Sequence, residues 1–435
     1  MDWHTRRRIA ISGAILAGAL VLAACGEDAG DPDAGEFAGE SVQVLGGFTS
    51  PADDAFRQAV EGFEEATGAT VEYQGSADFE QLIRSRVDGG NPPDIGMIPQ
   101  PGLLGQFVAQ EQVRPLDDIV DTEQLEETLI PGLFDIGTYD GQYYGLPRVI
   151  ALKSSVWYPP QAFEERGYEL PETWAELEEL TETIATEGDV APWCLGIESA
   201  GATGWVITDW IEDILLRSAG PDVYEDWVTG DIGFSSPEVL EAARTFEDLL
   251  LTEGHTFGGR GAILGTPYGD APLPMFEEEP DCLLHRQASF ISGFFPGDAV
   301  EGEDVDVFYL PPMEDGFDGN PVNGSGDLAA LFTDNPAAEA LMRYMSDPEW
   351  LGPQIDTGFD FSPHQTFPIE EYPSEAQRAQ AEYLRDADAF AFDASDRMPA
   401  EVGAGTFWTR MVSWINQELT LEEAMEEIDA SWPES

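Results

Sequence analysis

Phe56, Ala59, Val60 and Phe63 recur at helical spacing, which predicts a helix over 52–67 that stops at Gly68. The flanking stretches carry a different signature. SVQVL (41–45) before the helix and TVEY (70–73) after it read as strands. A helix over 79–87 and a strand over 94–98 complete a βαβαβ rhythm, which implies a parallel sheet covered by helices. In such sheets ligands bind beyond the C-terminal ends of the strands, here residues 46–53 and Pro99-Gln100. Further helices are expected at 174–185, 208–217, 237–252, 337–345, 375–385, 405–417 and 421–430. Gly- and Pro-rich stretches at 258–274 and 311–326 read as loops, and no internal repeat is evident.

The N-terminus follows other rules. Arg6-Arg7-Arg8 precedes an apolar run from Ile9 to Ala24 that is too short to span a bilayer. The run ends in Leu22-Ala23-Ala24-Cys25-Gly26, which resembles a lipobox, so residues 1–24 are expected to be a signal peptide and Cys25 an acylated, palmitate-bearing N-terminus. Thr5-Arg6-Arg7 leaves Sec and twin-arginine export both open. Residues 25–40 are mostly Gly, Ala, Asp and Glu and read as an acidic tether. The expected location is therefore extracytoplasmic, lipid-anchored to the outer face of the cell membrane.

Charge narrows the partners. The 435 residues carry a net charge of −66, and removing residues 1–24 takes away one acid and three bases, giving −68. Such a surface suits a salt-rich, halophilic setting and argues against nucleic acid or an anionic membrane surface as partner. After Cys25, Cys194 and Cys282 remain; an oxidising compartment permits a disulfide between them, with two buried thiols as the alternative. The four histidines are scattered, so no metal site is expected, and no cofactor motif is present; adventitious calcium on acidic loops stays open. About 395 residues follow the tether, enough for two domains.

A series of blocks resembles the extracellular solute-binding lipoproteins of ABC sugar importers, in particular the alpha-glucoside-binding group. They are DFEQLIRSRVDGGNPPDI (78–95), QYYGLPRVIALKSSVWYPP (142–160), PETWAEL (171–177), WCLGIESAGATGWVITDWIEDILLR (193–217), CLLHRQASFISGFFP (282–296), GSGDLAALF (324–332) and DASDRMPAEVGAGTFW (393–408). The resemblance implies an α/β, two-lobed periplasmic-binding-protein-like fold of type II with three hinge crossings, near 150–155, 322–327 and 355–365. Carried onto this chain, residues 41–150 with 326–355 form the N-terminal lobe and 151–325 with 356–435 the C-terminal lobe. It further implies a small carbohydrate, an alpha-glucoside, held between the lobes, delivery to the transmembrane subunits of a permease, and a monomer.

A sugar offers hydroxyls and C–H faces, so its site calls for carboxylates, amides and aromatic rings. Lys153 is the sole lysine among nineteen basic residues and falls at the first crossing. It is expected to donate to sugar hydroxyls, or to a cleft carboxylate that orients them; a structural ion pair is the plain alternative. Asp53 and Asp78 either accept hydroxyls or cap helices. Gln100 stands past the third strand. Trp205 is the expected stacking platform with Asp209 one turn on, whereas Trp210 should pack inward. Gln287, Gly326, Asp327, Phe359, Asp393 and Trp408 complete the set. Arg397 stands where the family tends to be apolar and could serve an acidic substituent. The rival reading is a secreted lipoprotein glycoside hydrolase, an enzyme that needs two suitably spaced carboxylates.

Overall fold

The computed structural model describes residues 35–50, 52–355 and 360–433. Five strands lie along one path of the first sheet. These are β1 (Ser41–Gly46), β2 (Thr70–Gly75) and β3 (Ile95–Ile98), with β9 (Pro321–Leu331) and β10 (Ala389–Phe392) from late in the chain, in the order β10-β9-β3-β1-β2. A sixth strand, β4 (Leu146–Leu152), pairs antiparallel with β9. The expected parallel arrangement holds for β1 with β2 and β3. Helices α1 (Ala52–Thr67) and α2 (Phe79–Asp88) connect these strands, and Phe56, Ala59, Val60 and Phe63 all enter the core, as their spacing requires. Helix α3 (Pro101–Ala109) follows β3.

A second sheet of four strands has its own core. Its order is β8 (Asp306–Tyr309), β5 (Ser155–Tyr158), β7 (Cys282–Arg286), β6 (Ala191–Trp193). Alternation along β5 sends Trp157 and Tyr158 into two different apolar clusters, so both rings are buried. Helix α4 (Trp205–Ala219) lies in the centre of this half, with Trp210 buried as expected. Helix α5 (Pro221–Thr229) follows it. Among the described residues no helix is long and apolar enough to cross a membrane.

Several expectations shift. The second crossing falls ahead of Pro321, not at 322–327, because Leu310 packs in the second core whereas all of β9 pairs within the first sheet, and the third falls at Asp393, not at 355–365. Phe361, Phe367, Tyr372, Ala381, Leu384 and Phe392 pack in the first core and β10 joins the first sheet, whereas Ala394, Met398 and Val402 pack in the second. Part of 356–435 thus belongs with the first half. The 311–326 stretch is not all loop, because β9 begins at Pro321. Its glycines allow close approach: a Cβ on Gly326 would lie 2.1 Å from the Val149 carbonyl oxygen, and one on Gly324 2.6 Å from the Phe390 ring. The 258–274 stretch contains a short helix, Gly259–Gly265. The tether ends sooner than expected. Phe37 N–H donates to Thr67 O at 2.9 Å and Thr70 N–H to Glu40 O at 3.0 Å, so residues 35–40 dock on the end of α1. The signal peptide and Cys25 lie outside the described residues.

Candidate functional site

The C-terminal ends of β1, β2 and β3 bring Asp53, Asp78 and Gln100 to one edge of the first sheet. Asp53 sits inside the first turn of α1 and pairs with Arg57 at 3.3 Å, one helical turn on; its Oδ1 is buried with no protein partner. Asp78 occupies the N-cap position of α2 yet makes no capping bond, which leaves its carboxylate available. Gln100 donates to Glu80 at 3.0 Å, and its own carbonyl oxygen is buried without a partner. Unmatched buried acceptors are costly in isolation and fit a surface that meets hydroxyl donors.

The second half supplies rings. Trp205, at the start of α4, is partly buried and meets Tyr268 edge-on at 5.3 Å and Phe290 at 6.1 Å. Asp78 approaches this end of α4 from the other half: a Cβ on Gly201, four residues before Trp205, would stand 3.1 Å from Asp78 Oδ1. Tyr268 and Phe290 were missed in the sequence. Phe290 lies within a quoted block without spacing to mark it, and Tyr268 lies in a stretch read only as loop. Further contacts link the halves nearby: Gln106 on α3 donates to Glu401 at 2.5 Å, and Gly102 faces the Met398 carbonyl so closely that a Cβ would lie 1.8 Å away.

Lys153 is buried behind the rings. Its ammonium bonds Asp209 at 2.7 Å and also Asp393, and lies 5.5 Å from the Trp205 ring centroid. The protein therefore realises the ion-pair arrangement, with both carboxylates from the expected set. Burial opposes the lysine's charge, but Asp209, Asp393, Asp396 and Glu212 outweigh it and hold its pKa above the ordinary value. Burial pushes Asp209 up to about 7 against the pull of Lys153. Burial likewise raises Glu212 and Asp396 well above the carboxylate range. Asp393 goes the other way: burial would raise it, but Lys153 brings it down to about 2, aided by the bond from Asp396 N–H at 2.9 Å. Asp209, Glu212 and Asp393 each bring a carboxylate oxygen within 4.8 Å of the others, a spacing a metal ion could also use; here the ammonium sits among them.

The remaining expected residues divide. Asp327 is buried against Arg148 at 3.2 Å, and burial pushes it up to about 6 despite that pairing. The Arg148 guanidinium lies 4.8 Å from the Phe48 ring centroid. Gly326 is held by backbone crowding in β9. Gln287 is buried, with its oxygen accepting from Ala288 N–H at 2.8 Å and its Nε2 lacking a protein partner. Trp408 is buried, and its indole N–H donates to Ser395 at 3.2 Å, so its ring is far less open than that of Trp205. Phe359 lies outside the described residues. Arg397 is already engaged, making a bidentate pair with Glu225 at 2.6 and 2.8 Å. Cys194 and Cys282 are bonded, with Cα atoms 5.4 Å apart.

Residues 49–351 match the family described as bacterial extracellular solute-binding protein. The chain is 40% identical over 394 residues to the osmoprotective compounds-binding protein GgtB of Synechocystis sp., covering 91% of this chain and 93% of the relative. It is 38% identical over 402 residues to the alpha-glucosides-binding periplasmic protein AglE of Rhizobium meliloti, covering 89% and 86%. Among solved structures, a chitin oligosaccharide binding protein superposes with a TM-score of 0.76 at 20% identity, over 90% of this chain and 97% of that one; this likeness concerns the fold.

Proposed function

Since this chain belongs to the bacterial extracellular solute-binding protein family, we propose that it captures a small carbohydrate between its two halves and delivers it to the membrane subunits of an ABC importer. The observation that carries this reading is the partly open ring set Trp205, Tyr268 and Phe290, approached from the other half by the non-capping carboxylate of Asp78. Rings cover the C–H face of a sugar and exclude water, while Asp53, Asp78 and Gln100 accept its hydroxyl protons. An alpha-glucoside or a glucosylated osmoprotectant is the ligand class we favour, supported by what the names of the two relatives say those proteins bind. Lipidation at Cys25 would tether a monomer to the outer face of the membrane.

A hydrolase is disfavoured because two of the buried acids with raised pKa, Asp209 and Glu212, are already committed. Asp209 bonds Lys153, and Glu212 accepts backbone N–H groups. Calorimetric titration of the protein with trehalose, sucrose and maltose in molar salt tests the reading, alongside nitrophenyl glucosides as hydrolase substrates. Saturable binding without turnover is the expected result. Turnover, or no binding across a broad panel of glucosides, overturns it.

A further inference from the structure

We propose that helix α4 is a clamp that ties the Trp205 platform to all three crossings, with Lys153, Ser154 and Glu212 as positioning residues that do not touch the ligand. This rests on the carbohydrate reading above. The helix presents Trp205, Asp209 and Asp213 at intervals of four residues, with Glu212 beside them, so one rod joins the ring to a row of buried acids. Each acid grips a connection between the halves. Asp209 holds Lys153, and Asp213 accepts from Ser154 Oγ at 3.2 Å, both in the turn between β4 and β5. Glu212 accepts from the N–H groups of Ala394 at 2.9 Å and Ser395 at 3.1 Å, just past β10.

The start of β9, just past the second crossing, is gripped through the other two. Lys153 N–H donates to Asn323 O at 2.9 Å, Asn323 N–H to Ser154 Oγ at 3.0 Å, and Asp393 N–H to Gly324 O at 2.8 Å. Tyr224 on α5 closes the circuit: its hydroxyl donates to Phe392 O at 3.1 Å and accepts from Asn323 Nδ2 at 3.1 Å. Asp213 is itself braced by Arg286 at 3.0 Å and by Arg217, which donates to Leu310 O at 3.0 and 2.8 Å.

Taking so many charges out of water adds little net stability compared with apolar packing, but it fixes one geometry, since every partner must be present at once. Two distant crossings that share one helix cannot move independently of it. A ligand seated on Trp205 therefore bears on the same rod that sets the angle between the halves. The halves respond to the ligand only to the extent that it binds the clamped arrangement better.

Hydrogen exchange read by mass spectrometry, with and without trehalose or sucrose, tests the clamp. Lys153→Met and Glu212→Gln should speed exchange at amides 323 and 393–395 by about tenfold in the sugar-free protein and weaken sugar binding by about tenfold. Trp205→Ala should weaken sugar binding by about 30-fold while leaving exchange at the crossings unchanged. Normal exchange at every crossing in Lys153→Met, with affinity lost, would overturn the clamp and make the lysine a direct sugar donor. Should that variant fail to fold, Ser154→Ala removes a single hydroxyl; faster exchange at both Asn323 and 393–395 supports the clamp, and unchanged exchange at 393–395 overturns it. Failure of the wild type to bind any sugar, with Glu212→Gln still loosening crossings one to three, supports the clamp and counts against the carbohydrate reading alone.

Discussion

Replacing both cysteines of the Cys194–Cys282 bond with alanine removes a restraint spanning 88 residues of sequence. Loop-closure entropy for a ring of that size amounts to about 4.6 kcal/mol at room temperature. Both sulfurs are buried in a cluster with Trp157, Met275, Ile291 and Val305, so their loss also leaves small voids that cost about 1 kcal/mol more. If the second half unfolds as a unit of about 200 residues, its unfolding entropy converts each kcal/mol into about 2–3 °C, and the variant should melt about 13 °C below the parent. Differential scanning calorimetry of the parent and the double variant measures this directly. The bond also fastens β6 to the strand leading into Gln287 and Phe290, so sugar affinity should weaken as the loop carrying Phe290 loosens. A melting temperature lowered by less than about 2 °C would refute the argument that the bond acts by restraining the unfolded chain.

Other predictions concern single sites. Trp205→Ala should weaken sugar binding by about 30-fold in calorimetry, the equivalent of about 2 kcal/mol of buried ring, with its melting temperature close to the parent's. Gly326→Ala should cost about 3 kcal/mol in denaturant unfolding, because its Cβ would meet the Val149 carbonyl oxygen at 2.1 Å. The pH dependence of stability should split in sign. Burial raises Asp327 from 3.8 to about 6, so its contribution is full below pH 3.8 and is lost as pH rises through 6; burial lowers His285 and His364 from 6.5 to about 4, so theirs is lost as pH falls from 6.5 to 4. In molar salt, which screens surface repulsion, Asp327→Asn should therefore make the melting temperature fall more steeply on acidification from pH 7 to 4 than in the parent. An unchanged slope would contradict this assignment.

The first sheet was legible because its strands and helices are local and periodic: Phe56, Ala59, Val60 and Phe63 announce their helix without reference to anything distant. The third crossing was not legible, because β10 is recruited by parallel pairing with β9, and no local pattern marks which of two sheets a short apolar strand will join. The strand character of β9 was hidden by its glycines, which are there for close approach to β4 and Phe390 and not for turning. At the site, Lys153 stood out by its solitude, but solitude could not separate a sugar donor from a buried ion pair; that depended on Asp209 and Asp393 converging from 56 and 240 residues away. Arg397 drew attention for its charge, yet its partner Glu225 is 172 residues distant and has no sequence signature.

Strand β9 runs for eleven residues and pairs in turn with β10, β4 and β3. Side chains alternate along it, so inserting or deleting a single residue near Asn323 would turn every later position over. Gly326 would no longer oppose the Val149 carbonyl, and Asp327 would point away from Arg148. Length variation among natural or designed variants of this protein should accordingly be tolerated in exposed loops such as 297–304, while residues 321–331 accept substitution only at constant length.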